Sequence, residues 1–239
     1  RVGHMSIKQI FCALLVVFEA SFSCGATAGW KEDIKSPVTT PARWVLIGGT
    51  GATALVLFTQ DSTTNPLQRS LSQRKPLGSS SKYGDLAGQL VPNALYVGGM
   101  LASSYFGSNS GYYRAEMMFT ATAYAAIVTN VLKYTIREPR PYDHKQRNSF
   151  PSGHTTTAFA FAGIVAAEHG WVYGVPSMAL ATFVGLSRIN DNKHYLQDVV
   201  AGATIGLSCA LGIYYSRQEE RDKLGSTSFM IFPQAIPGG

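Results

Sequence analysis

Six apolar segments separated by polar stretches constrain the fold of this chain more than any other feature. In the third segment, Met118, Ala121, Ala125 and Val128 recur near the 3.6-residue period of an α-helix. We interpret all six segments as helices and predict an all-α fold, a six-helix bundle. The segments are 44–58, 86–106, 115–136, 155–168, 172–186 and 198–215.

The order of the segments predicts where the polar residues meet. If the helices alternate in direction, the end of the third, the start of the fourth, the end of the fifth and the start of the sixth share one end of the bundle. Polar blocks fall at those ends, in 133–141, 149–155 and 187–198. We therefore expect residues from distant parts of the chain to form one pocket, with the active site at that end.

The composition limits the class of function without deciding between a soluble and a membrane protein. Hydrophobic residues make up 46% of the 239 residues and charged residues 14%, yet the mean hydropathy is only +0.05. A formal net charge of +6 fits an anionic substrate or an anionic membrane surface. We expect no nucleic-acid partner, and the sequence leaves the oligomeric state open.

The cysteines and histidines indicate no metal centre. Cys12, Cys24 and Cys209 form no obvious disulfide framework, and cysteine usage does not fix the compartment. No Cys or His pair has the spacing of metal ligands. We therefore expect neither a metal nor a cofactor.

Residues 1–28 form an N-terminal extension in which 5–28 resembles a signal peptide. Lys8 supplies a basic start, and 10–18 is apolar but too short to span a bilayer. The small residues of 26–28 offer a cleavage site. This pattern predicts export to the periplasm.

The rest of the chain divides into three parts. We predict an extended polar arm at 29–43, the helical domain at 44–216 and a C-terminal tail at 217–239. Within the domain, 59–85 is a long polar connection. We interpret it as a solvated linker with helical turns, and the alternative is a lid or an element that admits substrate.

The stretch around Ser152 has the chemistry of an anion pocket. Ser152 suits the N-cap of a helix, Gly153 lets the backbone approach a ligand closely, and the following apolar run 157–167 predicts a helix whose free N–H groups face the pocket. His154 and a second histidine, His194, could transfer protons or attack phosphorus. Such an assembly suits phosphoryl transfer.

Three cations fall in the same polar blocks. Lys133, Arg140 and Arg188 are candidates for binding the oxygens of a phosphoryl group. The complete pattern is Lys133, six residues, Arg140-Pro141; then Pro151-Ser152-Gly153-His154; then Ser187-Arg188, five residues, His194, three residues, Asp198.

This pattern resembles the complete signature of the type 2 phosphatidic acid phosphatase (PAP2) superfamily, which also includes bacterial class A acid phosphatases and vanadium haloperoxidases. The resemblance covers about residues 133–198. It implies that His194 is the nucleophile and forms a phosphohistidine. Asp198 would hold the other ring nitrogen of His194, since a spacing of four matches one helical turn. His154 would be the general acid that later activates water.

The resemblance also implies a phosphate cradle without a metal. Lys133, Arg140 and Arg188 would bind phosphate, and Ser152 and the Gly153 amide would complete the cradle. Each of the eight site residues also has an ordinary structural explanation, for example as a helix cap or a solvated loop residue. The full spacing is what argues against eight separate explanations.

The expected reaction is hydrolysis of a phosphomonoester or a terminal pyrophosphate, on a lipid phosphate, a prenyl diphosphate or a small phosphoester. One alternative is a vanadate-dependent haloperoxidase, which uses the same anion cradle. The other is a phosphate-binding module without catalysis. The two intact histidines give no reason to prefer it, because binding alone does not require them.

Two locations follow from the resemblance and the leader. Six apolar segments resemble the six membrane helices of the lipid phosphatase branch, which would make this an integral inner-membrane protein. A cleaved leader followed by three crossings would instead put the pocket in the cytoplasm, and the first, fourth and fifth segments fall short of about 20 residues. We therefore prefer a soluble periplasmic helical domain that touches a membrane surface, with the integral protein as the alternative.

Overall fold

The computed structural model describes residues 30–108 and 110–231, which fold into a bundle of α-helices with no β-strand in that part of the chain. The predicted all-α fold is confirmed. The helices are α1 (Trp30–Thr39), α2 (Arg43–Phe58), α3 (Asn65–Arg74), α4 (Ser81–Gly88), α5 (Val91–Tyr105), α6 (Gly111–Ile136), α7 (Gly153–His169), α8 (Trp171–Asn190) and α9 (Leu196–Ile231). A π-helical turn at Gln60–Thr64 and a 3₁₀ turn at Gly78–Ser80 lie in the polar connection.

The six predicted segments are all helical, but a six-helix count is approximate. The second segment is broken: α4 ends at Gly88, and α5 begins at Val91 with Pro92 in its first turn. Proline is tolerated there because the first N–H groups of a helix have no partner within the helix. The fifth segment is longer than expected, since α8 runs through Asn190.

One prediction about the ends of the domain is wrong. The arm at 29–43 is not extended, because Trp30–Thr39 is a helix. Its buried Asp33 pairs with Arg217 of α9 at 2.9 Å, so a tertiary contact orders the segment. The predicted tail is helical over its first part, since α9 continues to Ile231. The predicted signal peptide lies outside the described residues.

Helix α7 lies at the centre of the bundle and packs against α4, α5, α6, α8 and α9. Small residues allow its closest approach, to α9. A Cβ added at Gly202 would lie 2.6 Å from the carbonyl oxygen of Ser152, and one at Gly206 would lie 2.4 Å from the carbonyl oxygen of Thr156. Small residues in the last helix therefore permit this close packing.

The outside of the bundle is unusually apolar. Phe58, Tyr105 and Trp171 are 90%, 86% and 80% exposed. Three helices of the described chain are long and apolar enough to cross a membrane, namely α6, α8 and the Leu196–Gln218 part of α9, while α1 and α2, bent at 63°, add a fourth if they form one span. Large exposed apolar areas are typical of surfaces that meet a partner or a lipid phase.

Gly202→Ala tests the close contact between α7 and α9. The added methyl group would press on the backbone at Ser152, and overpacking of this kind costs about 1–3 kcal/mol. We expect a clearly lower thermal unfolding midpoint for the purified protein in detergent. Gly98→Ala is the matched control, because nothing lies within 4 Å of a Cβ added on α5 at that position. Equal unfolding temperatures for the two variants would contradict the packing argument.

Candidate active site

Lys133 holds the loop that leads into α7. It lies in the last turn of α6, which ends where Arg137 adopts a left-handed conformation with φ 54°. Its ammonium group donates to the carbonyl oxygens of Asn148 (2.7 Å), Ser149 (3.3 Å) and Pro151 (2.6 Å). A lysine ammonium has three N–H donors, so all three are directed at this loop.

Arg140 is held in the same loop. Its Nε donates to the Oδ1 atom of Asn148 at 2.7 Å, and its backbone N–H donates to the carbonyl oxygen of Gln146 at 2.9 Å. Both cations therefore organise the segment that ends at Ser152 and bring positive charge to it.

The start of α7 forms the floor of the site. Ser152 stands at the N-cap position with extended backbone, but it makes no capping hydrogen bond, because its hydroxyl accepts from Thr155 Oγ1 at 2.9 Å. A Cβ added at Gly153 would meet only side-chain carbons of Lys133 and Thr129, at 3.9 Å. Protein backbone therefore does not fill the space at Gly153, and the first amides of α7 can face an anion.

The carboxylate of Asp198 organises the ring of His194. Its Oδ2 atom accepts a hydrogen bond from Ser149 Oγ at 2.5 Å and lies 3.3 Å from Nδ1 of His194. Asp198 is fully buried and His194 is 3% exposed. Because Nδ1 donates its proton to this carboxylate, the other ring nitrogen, Nε2, carries the lone pair.

The contact between these two residues does not depend on a helical turn. His194 precedes α9, which begins at Leu196. The side chain of Asp198 reaches back to accept the backbone N–H of Tyr195 at 2.9 Å, as the third residue of a helix does in a capping box. The predicted pair is present, but the cap of α9 positions it.

Gln68 of α3 also fixes the segment around His194, and no sequence pattern indicated this role. Its Nε2 donates to the carbonyl oxygen of His194 at 3.3 Å, and its Oε1 accepts the backbone N–H of Leu196 at 3.1 Å. The side chain is buried. The polar connection therefore contributes to the site, although we interpreted it as a solvated linker.

Asp85 is a second residue that the sequence did not reveal. Its carboxylate contacts both the guanidinium of Arg188 and, at 3.3 Å, Nε2 of His154. Arg188 is almost fully buried and is also held by Ser187 Oγ. Asp85 thus joins the predicted phosphate ligand of α8 to the predicted general acid of α7.

Two glycines of α4 bring Asp85 to this position. A Cβ added at Gly84 would lie 2.3 Å from the hydroxyl of Ser187, and one at Gly88 would lie 2.7 Å from Cβ of His154. The carbonyl oxygen of Gly88 also accepts a hydrogen bond from Thr157 Oγ1 at 2.7 Å. Helix α4 therefore fits closely against the residues that form the pocket.

Burial and the surrounding cations keep both imidazoles neutral. Burial, followed by the charge of Arg188, lowers the pKa of His154 to about 4. Burial and the charges of Lys133, Arg140 and Arg188 hold the pKa of His194 well below its ordinary value. These charges act on both rings because the predicted residues converge on one site.

Asp85 is ionised in this environment. Burial alone would raise the pKa of its carboxyl group, but the hydrogen bond and charge of Arg188 outweigh burial and lower it. The charge of Lys193 acts in the same direction.

A cavity of about 780 Å³ lies next to this constellation. Its lining includes Tyr195, which follows the histidine of the pair, and Pro141, which follows the arginine of the loop. Gln68 and Arg69 of α3 form part of the opposite wall. The cavity offers polar space beside the site, while the eight predicted residues lie outside its lining.

Comparison with known proteins gives a consistent family. The model of the PAP2 superfamily matches residues 116–222. Lipid A 1-phosphatase of Porphyromonas gingivalis is 41% identical over 103 residues, which is 41% of this chain and 23% of that protein. The chain spans less than two thirds of the length of the curated relatives that it matches most strongly.

Two solved structures share the fold. The crystal structure of LpxE from Aquifex aeolicus has a TM-score of 0.51 at 21% identity and covers 66% of this chain and 96% of its own. The first transmembrane PAP2 type phosphatidylglycerolphosphate phosphatase from Bacillus subtilis has a TM-score of 0.51 at 18% identity, covering 77% of this chain and 97% of its own.

These findings bear on the two predicted locations. The apolar candidate spans support an integral membrane protein, which was the alternative, rather than the preferred soluble domain. Export and the periplasmic location stay predictions. Residues 116–222 thus match the model of the PAP2 superfamily, and the related sequences and the shared fold agree with that match.

Proposed function

We propose that this chain carries the catalytic centre of a membrane-embedded lipid phosphatase that releases a phosphoryl group through a phosphohistidine intermediate. The observation that carries the proposal is the His194–Asp198 pair, set among three cations and a helix N-terminus with a second imidazole nearby. The names of the related phosphatases support a phosphorylated lipid as substrate.

The first step is attack on phosphorus by Nε2 of His194. A bond forms between this nitrogen and phosphorus, and the bond from phosphorus to the leaving oxygen breaks. Asp198 stabilises the imidazolium that develops, because it accepts a hydrogen bond from Nδ1–H. Arg140, Arg188 and the amides of α7 bind the charged oxygens, while Lys133 adds charge and holds the loop.

His154 donates a proton to the leaving oxygen. The free site keeps its imidazole neutral, but a bound phosphate dianion offsets the cations that lower its pKa, so the pKa rises when substrate binds. A substrate that arrives as the monoanion can supply the same proton. In the second step His154 takes a proton from water, which attacks phosphorus, breaks the bond to His194 and releases inorganic phosphate.

Cationic side chains and backbone amides supply the positive charge and the hydrogen-bond donors for the phosphoryl oxygens, so we propose that the reaction needs no metal. Among residues 30–108 and 110–231, no group of three or more His, Cys, Asp or Glu side chains is arranged to hold a metal ion. Activity measured with EDTA checks this point directly.

His194→Ala tests the proposed reaction. Purified protein in detergent and EDTA is assayed for phosphate release from phosphatidate, a prenyl diphosphate and p-nitrophenyl phosphate. We expect the variant to lose at least 10³-fold in turnover, since removal of a nucleophile removes the covalent pathway. His169→Ala is the control, because that histidine lies at the other end of α7 and contacts Tyr96. Undiminished hydrolysis by His194→Ala would overturn the proposal.

The same preparation separates the alternatives. A phosphate-binding module would bind phosphate without turnover, whether or not His194 is present. A haloperoxidase would oxidise halide with peroxide after vanadate is added.

His154→Ala tests the two roles of this imidazole. p-Nitrophenolate leaves without protonation, so the first step should persist with p-nitrophenyl phosphate, whereas attack by water loses its base. We expect a burst of p-nitrophenol, slow turnover and accumulation of acid-labile phosphoenzyme. With phosphatidate, whose leaving group is an alkoxide, both steps should slow. Equal loss on the two substrates, without phosphoenzyme, would contradict the assignment.

Asp85→Asn tests the carboxylate that lies against the cradle. The carboxylate of Asp85 contacts Arg188 and His154, so its negative charge opposes a phosphate bound by the same groups, by about 1 kcal/mol even at the dielectric of bulk water. We expect inorganic phosphate to inhibit the variant about fivefold more strongly, as measured by the competitive inhibition constant. Asp61→Asn, whose carboxylate contacts Asn65 instead, is the control. Unchanged or weaker inhibition would show that Asp85 does not oppose phosphate.

A further inference from the structure

Behind the His194–Asp198 pair lies another acidic side chain, Glu138, which the proposed reaction does not use. Glu138 belongs to the loop between α6 and α7, and its carboxyl group lies next to that of Asp198. Gln197 Nε2 donates to the other oxygen of Glu138, Oε1, at 3.1 Å. The backbone of Glu138 is fixed as well, since its carbonyl oxygen accepts the N–H of Ser149 at 3.0 Å.

Two buried oxygens in this contact have no donor if both groups are ionised. Oε2 of Glu138 and Oδ1 of Asp198 are buried without a hydrogen-bond partner among the described residues. A buried acceptor without a donor costs about 1–3 kcal/mol, and two adjacent carboxylates repel each other. One proton between the two oxygens removes both penalties, because the protonated carboxyl then donates to the other.

The hydrogen bonds of Asp198 decide which group holds the proton. Its Oδ2 already faces three donors, from Ser149, Tyr195 and His194. Such contacts favour the ionised form. Glu138 has one donor, from Gln197. Burial, with the hydrogen bond and charge of Asp198, raises the pKa of Glu138 to about 8.

We infer that Glu138 is a positioning residue which, as a neutral acid, donates a hydrogen bond to Asp198 and so holds that carboxylate against His194. This inference rests on the proposed function. The chain of contacts runs from Glu138 through Asp198 to Nδ1 of His194. The glutamate touches no reacting atom and acts only through the aspartate.

Ionisation of Glu138 would break this arrangement. Its proton passes to solvent, two carboxylates then face each other, and Asp198 is pushed from its contact with the ring. The other groups that face Glu138 are Lys133 on α6, whose charge opposes the effect, and Tyr195 at the start of α9, whose phenol experiences the charge of Glu138. Because the folded-state pKa is raised, the neutral form is present below about pH 8 and is lost as pH rises through that value.

Glu138→Gln separates positioning from a merely structural role. The amide can accept from Gln197 and donate to Asp198 as the neutral acid does, but it cannot ionise. We expect activity on p-nitrophenyl phosphate at pH 6.5 to stay within about threefold of the parent, and the alkaline fall in the pH profile near 8 to disappear or move upward. Glu138→Ala, which leaves Oδ1 of Asp198 without a donor, should lose on the order of tenfold in turnover at pH 6.5.

The possible results distinguish failure of the proposed function from failure of the role of Glu138. A parent enzyme that is inactive, or unaffected by His194→Ala, would defeat the proposed function itself. If the parent is active but the fall in activity above pH 8 is unchanged in Glu138→Gln, the role of Glu138 alone is overturned. The same holds if Glu138→Gln is as impaired as Glu138→Ala. Glu168→Gln removes a carboxylate that pairs with Arg114 at 2.8 Å at the far end of α7, and it should leave the limb in place. Thermal unfolding of each variant identifies any that fails to fold.

Discussion

The carboxylate of Asp198 is the contact on which the rest of the site depends. It joins the serine of the loop before α7, the histidine before α9 and the first backbone N–H of the α9 cap. Its own backbone carbonyl oxygen accepts the N–H of Ser152 at 3.0 Å. One residue therefore fixes the ring, the loop and the start of the central helix relative to each other.

Burying such a group has a chemical consequence. A carboxylate without solvent is stable only when its oxygens are paired with donors. The neighbouring donors therefore give their hydrogen bonds to Asp198. Ser149 and Tyr195 serve this role rather than substrate binding. The imidazole of His194 is then restricted to one tautomer and one orientation before any ligand arrives, which reduces the ordering that a substrate must impose.

Much of this arrangement is predictable from sequence because it depends on spacing along the chain. The eight predicted residues lie at helix ends, and the alternation of apolar and polar stretches suffices to bring those ends together. The positions of Gln68 and Asp85 are different, because each contacts a partner more than 100 residues away. A polar connection with ordinary composition carries no local sign of such contacts.

The same limit explains the error at the start of the domain. The segment at 29–43 is polar and contains prolines, which favours an extended arm on local grounds. Its helix forms where Asp33 meets Arg217 and where Gly212 leaves room for Ser36, and neither fact is visible in the segment itself. The sequence also leaves the membrane location open, whereas the folded bundle shows which apolar side chains face outward.

The close fit of α4 has a consequence for ligand preference. Because its glycines press against Ser187 and His154, the stretch between α2 and α5 forms one wall of the pocket while containing none of the signature residues. A side chain added at either glycine would reshape the site without touching any signature position. The identity of the signature residues therefore does not by itself determine which ligands the pocket admits.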